Sequence, residues 1–362
     1  MSFFSPKSEL ALVFDIASSS VSAALVRLAF GEHIRVIHSL NEPLSNQNSV
    51  DPEKLFNDMI EALKKAHADI VKQGSVKLSG TEFRHVNAKR IIYSFTSPWS
   101  ATQTKTISLK KDKSFTFTRA VLEKLMSSEE EKFSVIDRRI IQTRLNGYEV
   151  KDPFGKNVRE VDISYFTGIV PKSVLEKTVE VSHAIRASKY IKSFTFPLIT
   201  YSYIKDSFPD ERDFIQLRIG GGISDVAIIE DGLITESASF PLGYKQVIDG
   251  AATLSGITND EIISFLKLKS EGHAELSVVE KLNPILSRSI ENFVSELRKV
   301  LDKMENGSFL PQKLFLTTDF DVPGFFAQAL GGSSIPLEVL ILDSPINLAA
   351  VFAGRVYETE KK

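Results

Sequence analysis

Three consecutive glycines, Gly220-Gly221-Gly222, stand between two apolar runs, Phe214–Leu217 and Val226–Ile229. Both runs are rich in β-branched residues and read as strands. The stretch Ile219-Gly220-Gly221-Gly222-Ile223-Ser224-Asp225 between them predicts a hairpin with its backbone N–H groups turned toward a cleft. Without a Cβ, such a tip can turn tightly and come close to a phosphate. An ordinary glycine-rich turn has the same letters, and one turn alone does not choose between the two readings.

A second small-residue loop lies some 200 residues earlier. The buried-strand run Ala11–Phe14 leads into Asp15-Ile16-Ala17-Ser18-Ser19-Ser20, and a strand resumes at Val21–Leu28. A further strand at Ile34–Leu40 completes a meander with a small-residue tip. The chain thus repeats, weakly, one pattern: an apolar strand, a loop of Asp, Ser or Gly, then another strand.

Length and composition narrow what can sit between these loops. The 362 residues suffice for two or three domains with real cores. With no cysteine, disulfides, thiolate catalysis and Cys-ligated metals are excluded. The six histidines, at 33, 38, 67, 85, 183 and 273, form no HxH or HxxxH pair, so a zinc site is not expected. A net charge of −2 points to no nucleic-acid partner. No apolar run has membrane-spanning length, and Met1–Lys7 lacks the apolar core of a signal peptide, so the reading is cytoplasmic.

The remaining elements follow from caps and periodicity. Asp51-Pro52 opens a helix, and Ala88–Phe95 is a strand. Ala101–Leu109 alternates as a strand, with a basic turn expected at Lys110–Lys113 and a Thr118-capped helix after it. Val135–Leu145 and Val158–Val170 are strands, and Pro171 starts a helix. Beyond Lys192–Phe196 and the helix Leu198–Lys205 comes the glycine hairpin. Helices follow from Lys245, from the Thr258 cap, and over Val278–Met304, stopped by Asn306-Gly307. Strands at Lys313–Leu316 and Leu337–Ile341 precede a last helix at Asn347–Val356, and the charged tail Glu358–Lys362 is expected to fray.

The paired loops resemble the phosphate hairpins of the actin-like ATPase superfamily, in which two similar lobes clasp ATP. Asp15–Val21 looks like the first phosphate loop and Ile219–Asp225 like the second. Thr317–Gly324, after the strand Leu314–Leu316, stands where the adenosine loop belongs. A strand–helix–strand–strand–helix block between the loops, with the run Tyr148–Gly155, is similar to the FtsA/PilM branch, which carries an SHS2-type module there. The resemblance implies an α/β, two-lobed actin-like (ribonuclease H-like) fold with an inserted α+β module. Its expected bounds are 8–107 with 190–208 for the first lobe, 108–189 for the module, 209–346 for the second lobe and 347–362 for a C-terminal helix and tail.

The same resemblance implies a nucleotide site for ATP or ADP with Mg²⁺. Asp15 would join the metal shell. Ser18, Ser19 and Ser20 would donate to phosphate, and Gly220, Gly221 and Gly222 would cradle it, with Ser224 and Asp225 beside them. Asp225 reads either as an anchor of the hairpin near the phosphates or as a turn-capping residue with no ligand. Gly243 and Lys245 begin a helix whose N-terminus can face phosphate, although a plain loop-to-helix junction reads the same way. Thr318 and Asp319 take the place of the adenosine loop's usual Gly-Gly. Lys267 and Lys269 either reach a ribose or base from the Thr258-capped helix or belong to its solvated surface.

Departures from the family pattern weigh against hydrolysis. Ala17 replaces a usual glycine. Arg218 stands where the second loop usually opens with an aspartate, and Phe196 where a water-orienting acid or Gln precedes a Pro. Arg218 could pair with a phosphate, or with Asp15 across an empty cleft. The expectation is therefore a non-catalytic scaffold of the PilM-like, type IV pilus side. It would be recruited to the inner face of the membrane through the cytoplasmic tail peptide of a membrane protein, with self-association as a second contact and no direct membrane insertion. An FtsA-like division protein and an ATP-dependent kinase of the superfamily are the alternatives. The basic residues Lys110, Lys111, Lys113, Arg138, Arg139 and Arg144 read as a solvated sheet face or a partner surface, offset by Glu129–Glu131.

Overall fold

The computed structural model describes residues 8–45, 51–79, 83, 85–126, 133–184, 190–305, 309–332 and 337–361. The expected helix stop Asn306-Gly307, the N-terminal Met1–Lys7 and the acidic run Glu129–Glu131 lie outside the described residues.

Strand β1 (Glu9–Ile16) is buried along its whole length, as its unbroken apolar run requires of a strand covered on both faces. It pairs antiparallel with β2 (Ser20–Leu28), which pairs antiparallel with β3 (Arg35–Pro43). On its other side lie β4 (Ala88–Phe95) and then β9 (Tyr190–Thr195), both parallel. The sheet order is β3-β2-β1-β4-β9. A second sheet repeats this plan strand for strand. β10 (Phe214–Ile219) pairs antiparallel with β11 (Ser224–Glu230), and β11 with β12 (Leu233–Phe240). β13 (Lys313–Thr318) and β14 (Glu338–Ile341) extend it in parallel on the other side. The weak sequence repeat is thus a full duplication of sheet topology.

Helices cover both sheets. On the first sheet, α1 (Pro52–Lys77) packs through Met59, Leu63, Ala66 and Ile70, with Asp51 accepting from the backbone N–H of Glu53 and Lys54. The opposite face receives α9 (Pro345–Lys361) through Leu348, Ala349, Phe352 and Ala353. The second sheet is covered by α5 (Tyr244–Ser255), α6 (Asn259–Ser270), α7 (Leu276–Met304) and α8 (Pro323–Gly331). Helix α4 (Phe196–Ser207) lies between the lobes. Phe196 and Ile199 join the first lobe's core, while Leu198, Tyr201 and Ile204 pack with Phe214 and Phe315 of the second.

A third, four-stranded sheet is inserted between β4 and β9. Its order is β5-β8-β6-β7, from β5 (Ala101–Thr116), β6 (Phe133–Leu145), β7 (Tyr148–Glu149) and β8 (Asn157–Pro171), with α2 (Arg119–Met126) and α3 (Lys172–Ala184). Phe117, Leu145, Val158, Val161 and Ile163 form its own small core under α2.

Four differences from the sequence reading have physical causes. Lys110–Lys113 is strand, not turn, and β5 runs to Thr116 with a pairing slip between Lys110 and Phe115. Lysines on an edge strand discourage edge-to-edge association, and they mimic a turn in sequence. The inserted sheet begins at Ala101, inside the stretch 8–107 expected for the first lobe. Strand β12 went unrecognised because Thr235–Ser239 is mostly polar and only half-buried. The tail does not fray through Lys361: Glu360 is held by Arg90 (2.5 Å), Lys192 (2.6 Å) and Tyr190. Across the open face of the inserted sheet, Ser108 bonds Asp162 at 2.5 Å, Gln142 bonds Glu149 and Lys110 pairs with Glu160. Polar groups on that face therefore bond one another.

Candidate functional site

The ends of β1 and β10 bring Asp15 and Arg218 together at the centre of the interlobe cleft. The Arg218 guanidinium donates to both Asp15 oxygens, at 2.9 and 2.5 Å. It also donates to Asp319 Oδ1, from Nε at 3.2 Å and from an Nη at 2.8 Å. The Phe196 ring lies under it, 4.2 Å from Cζ to centroid. Arg218 is 3% exposed, so this cation stands in the protein interior with two carboxylates and an aromatic face as its solvation. Burial alone would disfavour its charge. Asp15 and Asp319 outweigh that and hold its pKa above the ordinary arginine value.

The two carboxylates differ. Asp15 accepts a third bond, from Ser94 Oγ at 2.8 Å, which reaches it because β1 and β4 place residues 15 and 94 side by side. Asp319 Oδ2 has no hydrogen-bond partner among the described residues. Burial, partly opposed by Arg218, pushes the Asp319 carboxyl up from its usual range. The Asp15–Arg218 alternative is thus the arrangement observed, and Asp319, read as an adenosine-loop residue, closes the cluster from the end of β13. Thr318 turns the other way. Its hydroxyl donates to Ile219 O at 3.1 Å and accepts from Phe320 N–H at 3.0 Å, holding the loop against the hairpin.

The two small-residue tips touch. Ser18 Oγ accepts from Gly222 N–H at 3.3 Å, and a Cβ on Gly221 would overlap Ser19 Oγ. Glycine is required at 221 for that contact. Ser20 begins β2 and its carbonyl accepts from Ala17 N–H at 3.0 Å. Ala17 does not have positive φ, so the residue there in place of glycine is unstrained. Trp99 pins the same tip by donating its indole N–H to Ala17 O at 2.8 Å.

The N-terminus of α5 also faces the hairpin. Tyr244 N–H donates to Gly220 O at 2.9 Å, and Lys245 N–H to Gly221 O at 3.1 Å. Gly243 N–H is taken by Gln246 Oε1 at 2.9 Å, and Gly243 lies so close to Gly220 and Gly221 that no side chain fits. The helix-start donors are therefore directed at the hairpin's own carbonyls. The Lys245 side chain is half-buried beside Gly221, and burial lowers its pKa.

Ser224 and Asp225 have other work. Ser224 Oγ donates to Leu242 O at 2.7 Å. Asp225 accepts from Ser239 at 2.6 Å and from Thr96 of the first lobe. It heads a seam of hydroxyls that the second lobe shares with the first lobe and then with β5 of the inserted sheet: Ser97 with Ser239 (2.7 Å), Thr102 with Ser237 (2.9 Å), and Thr104 with Ile234 O (2.9 Å). Lys267 and Lys269 pair with Asp321 and Asn283 on the second lobe. Among the described residues no cluster of three or more His, Cys, Asp or Glu could hold a metal ion.

Duplicated five-stranded sheets, each with a hairpin between its first two strands, meeting at one cleft, decide the architecture. The fold is that of the actin-like ATPases. Solved structures with this fold align over almost the whole chain. One is the PilM–PilN type IV pilus biogenesis complex, with a TM-score of 0.55, 12% identity, and 97% of this chain and 98% of that one covered. Another is the ethanolamine utilization protein EutJ from Carboxydothermus hydrogenoformans, at 0.53, 13%, 96% and 88%. No family model and no curated protein sequence matches the chain. Within the actin-like fold, sequence reasoning missed Ser94, Trp99 and Gln246. Ser94 and Trp99 reach the cleft through partners distant in sequence and carry no local motif. Gln246, by contrast, caps its own helix start at Gly243 and also donates to Gly222 O, a local signal that the sequence did carry.

Proposed function

We propose that this chain is a non-hydrolysing actin-like scaffold of the PilM-like kind, carrying an SHS2-like module inserted in its first lobe. The observation that carries this reading is Arg218, doubly paired with Asp15 and Asp319 on the ring of Phe196. Phosphoryl transfer needs Mg²⁺ bridging phosphates, a positioned water and donors aimed at the developing charge. Here the expected metal ligand Asp15 holds a guanidinium and a serine. The tips meant to cradle phosphate touch each other, and the α5 amides are bonded to the hairpin. Mg²⁺ with ATP or ADP does not fit these residues as they stand.

A scaffold acts through surfaces, and the junction of the inserted sheet with the first lobe offers one. An open groove of about 650 Å³ lies between α3, β6 and β9, floored by Ile136, Leu175, Val179, Ile191 and Phe194. Strand β9 is the outer strand of its sheet, a place where an extended peptide can add main-chain bonds with side chains in apolar hollows. The tail peptide of a membrane protein is the partner assigned here, in line with the PilM–PilN complex among the similar structures. Among the described residues no helix is long and apolar enough to cross a membrane, so attachment to the inner membrane face would come through that partner.

Isothermal titration with ATP and Mg²⁺ tests the reading. No saturable heat at millimolar nucleotide is expected. Tight Mg²⁺-dependent binding with turnover would sink it and favour an ATP-dependent enzyme.

A further inference from the structure

In β6 the pairing with β8 slips between Val135 and Asp137, and this bulge turns a carboxylate inward. Asp137 is 4% exposed. Its Oδ2 accepts from the Thr195 backbone N–H at 2.6 Å and from the Thr195 hydroxyl. Its Oδ1 has no hydrogen-bond partner among the described residues. Thr195 ends β9 and is the N-cap residue of α4, the helix between the lobes, yet its hydroxyl does not cap that helix and goes to Asp137 instead. Gly168 of β8 completes the junction: a Cβ there would overlap Thr195 Cγ2 and stand 2.8 Å from Asp137 Oδ2. Three elements therefore meet on one buried carboxyl. The next residue along, Phe196, carries Arg218 on its ring.

We propose that Asp137 is a proton-responsive latch that fixes the inserted sheet to the start of α4 and, through Thr195, to the Phe196–Arg218 stack in the cleft. The geometry gives the acid form a natural place. A neutral carboxyl keeps accepting from Thr195 without bringing charge into the junction. An ionised one leaves charge on Oδ1 with no donor, which is costly in an apolar site.

The surroundings compensate the ionised form only in part, chiefly through the Thr195 hydroxyl and N–H that donate to Oδ2. On β6 itself, Arg139 is exposed and lies over the Tyr201 ring of α4 at 6.0 Å; its charge favours the ionised form. From β8 the facing residues are Thr167 and Gly168, and from β9 Thr195, none of them charged. Lys192 of β9 and His183 of α3 line the neighbouring groove beside Ile136 and Phe194. Burial dominates and pushes the Asp137 acid up to about 7, against a usual value of 3.8. A folded pKa above the unfolded one means the folded chain keeps a proton that the unfolded chain has lost. The latch is then strongest below the unfolded value and weakens as pH rises through about 7.

Hydrogen exchange over residues 190–200 of the full chain, corrected for intrinsic rates, tests this between pH 5.5 and 8.5. Protection in the native sequence should fall about tenfold as pH passes the latch midpoint, on the order of one unit of titration. In Asp137→Asn it should be flat. In Arg139→Gln, which removes the only cation named above as favouring ionisation, the midpoint should move upward. A flat profile in the native chain, or the native profile retained in Asp137→Asn, overturns the latch. If Asp137→Asn does not fold, Arg139→Gln decides alone, because an unmoved midpoint there also overturns it.

Discussion

The guanidinium of Arg218 meets both oxygens of Asp15 across 203 residues of chain, at 2.9 and 2.5 Å, and so joins the two lobes at the point where their hairpins converge. Arg218↔Asp225 and Asp15↔Ser22 are hairpin pairs in duplicated sheets, so the ion pair links equivalent strand ends of the two halves. A cation in this position neutralises two acids that the fold draws together, the part a bound metal ion would otherwise take.

Removing that cation should be expensive. Arg218→Met leaves Asp15 and Asp319 buried without their partner, and a loss of about 3–5 kcal/mol is expected. Adding Asp15→Asn and Asp319→Asn to the same chain should restore much of it, because no uncompensated charge remains. Urea unfolding of the single and combined variants reads the coupling. Additive losses would show that the three groups act independently.

The contact of the hairpin tips gives a second test. Gly221→Ala places a Cβ onto Ser19 Oγ and should cost about 1–3 kcal/mol as an overpacked site. Ser19→Gly in the same chain removes the obstruction and should recover most of the loss. Equal stability of the single and double variants, measured by thermal melting, would mean that the tips do not touch in solution.

His67 predicts an acid sensitivity opposite in sign to that of Asp137. It is buried, stacked on Phe14 at 4.0 Å and bonded through Nε2 to Tyr93 at 2.7 Å, while Nδ1 has no partner among the described residues. Burial lowers its pKa to about 3 from 6.5. The folded chain then binds fewer protons than the unfolded chain between those values. This contribution to stability is complete above pH 6.5 and is lost as pH falls toward 3. His67→Gln should flatten the fall in melting temperature between pH 6.5 and 4, whatever its effect at pH 7. An unchanged slope would place the acid sensitivity elsewhere.

The last turn of α9 should matter to the first lobe. Burial works against ionisation of Glu360, but hydrogen bonds from Lys192, Tyr190 and Arg90 hold its pKa down to about 2. The group is largely solvated, so Glu360→Gln is expected to cost only about 1 kcal/mol at low salt. The loss should shrink in high salt, where such pairs are screened. A salt-independent loss would point to packing of α9 and not to charge.

The proposed groove predicts a separable defect. Leu175 and Val179 stand one turn apart on α3 and line it together. Val179→Asp should cost no more than about 1 kcal/mol of unfolding free energy, as expected at a half-buried position, yet abolish retention of a membrane-protein tail peptide on the immobilised chain. Retention by the variant equal to that of the native chain would rule out this groove as the docking place.

What the residues alone determined is local and periodic. The β-branched runs around Gly220–Gly222 and around Asp15–Ser20 fixed the strands and tips, because strand patterning and the lack of a Cβ act within a few residues. Asp51 and Thr258 fixed helix starts for the same reason: a cap bonds its own first turn. The order of these elements was enough to indicate the actin-like fold, and the identity of residue 218 was enough to question its chemistry. Only tertiary structure decided the rest. That Asp319 would join Arg218, that Ser94 would support Asp15, and that Asp137 would reach Thr195 depend on parallel registers, a bulge and a close approach at Gly168. Strand β12 escaped notice because half-burial against the polar seam leaves no apolar alternation to read. Long-range pairing sets which side chains share a cleft, and nothing in a single stretch of sequence encodes it.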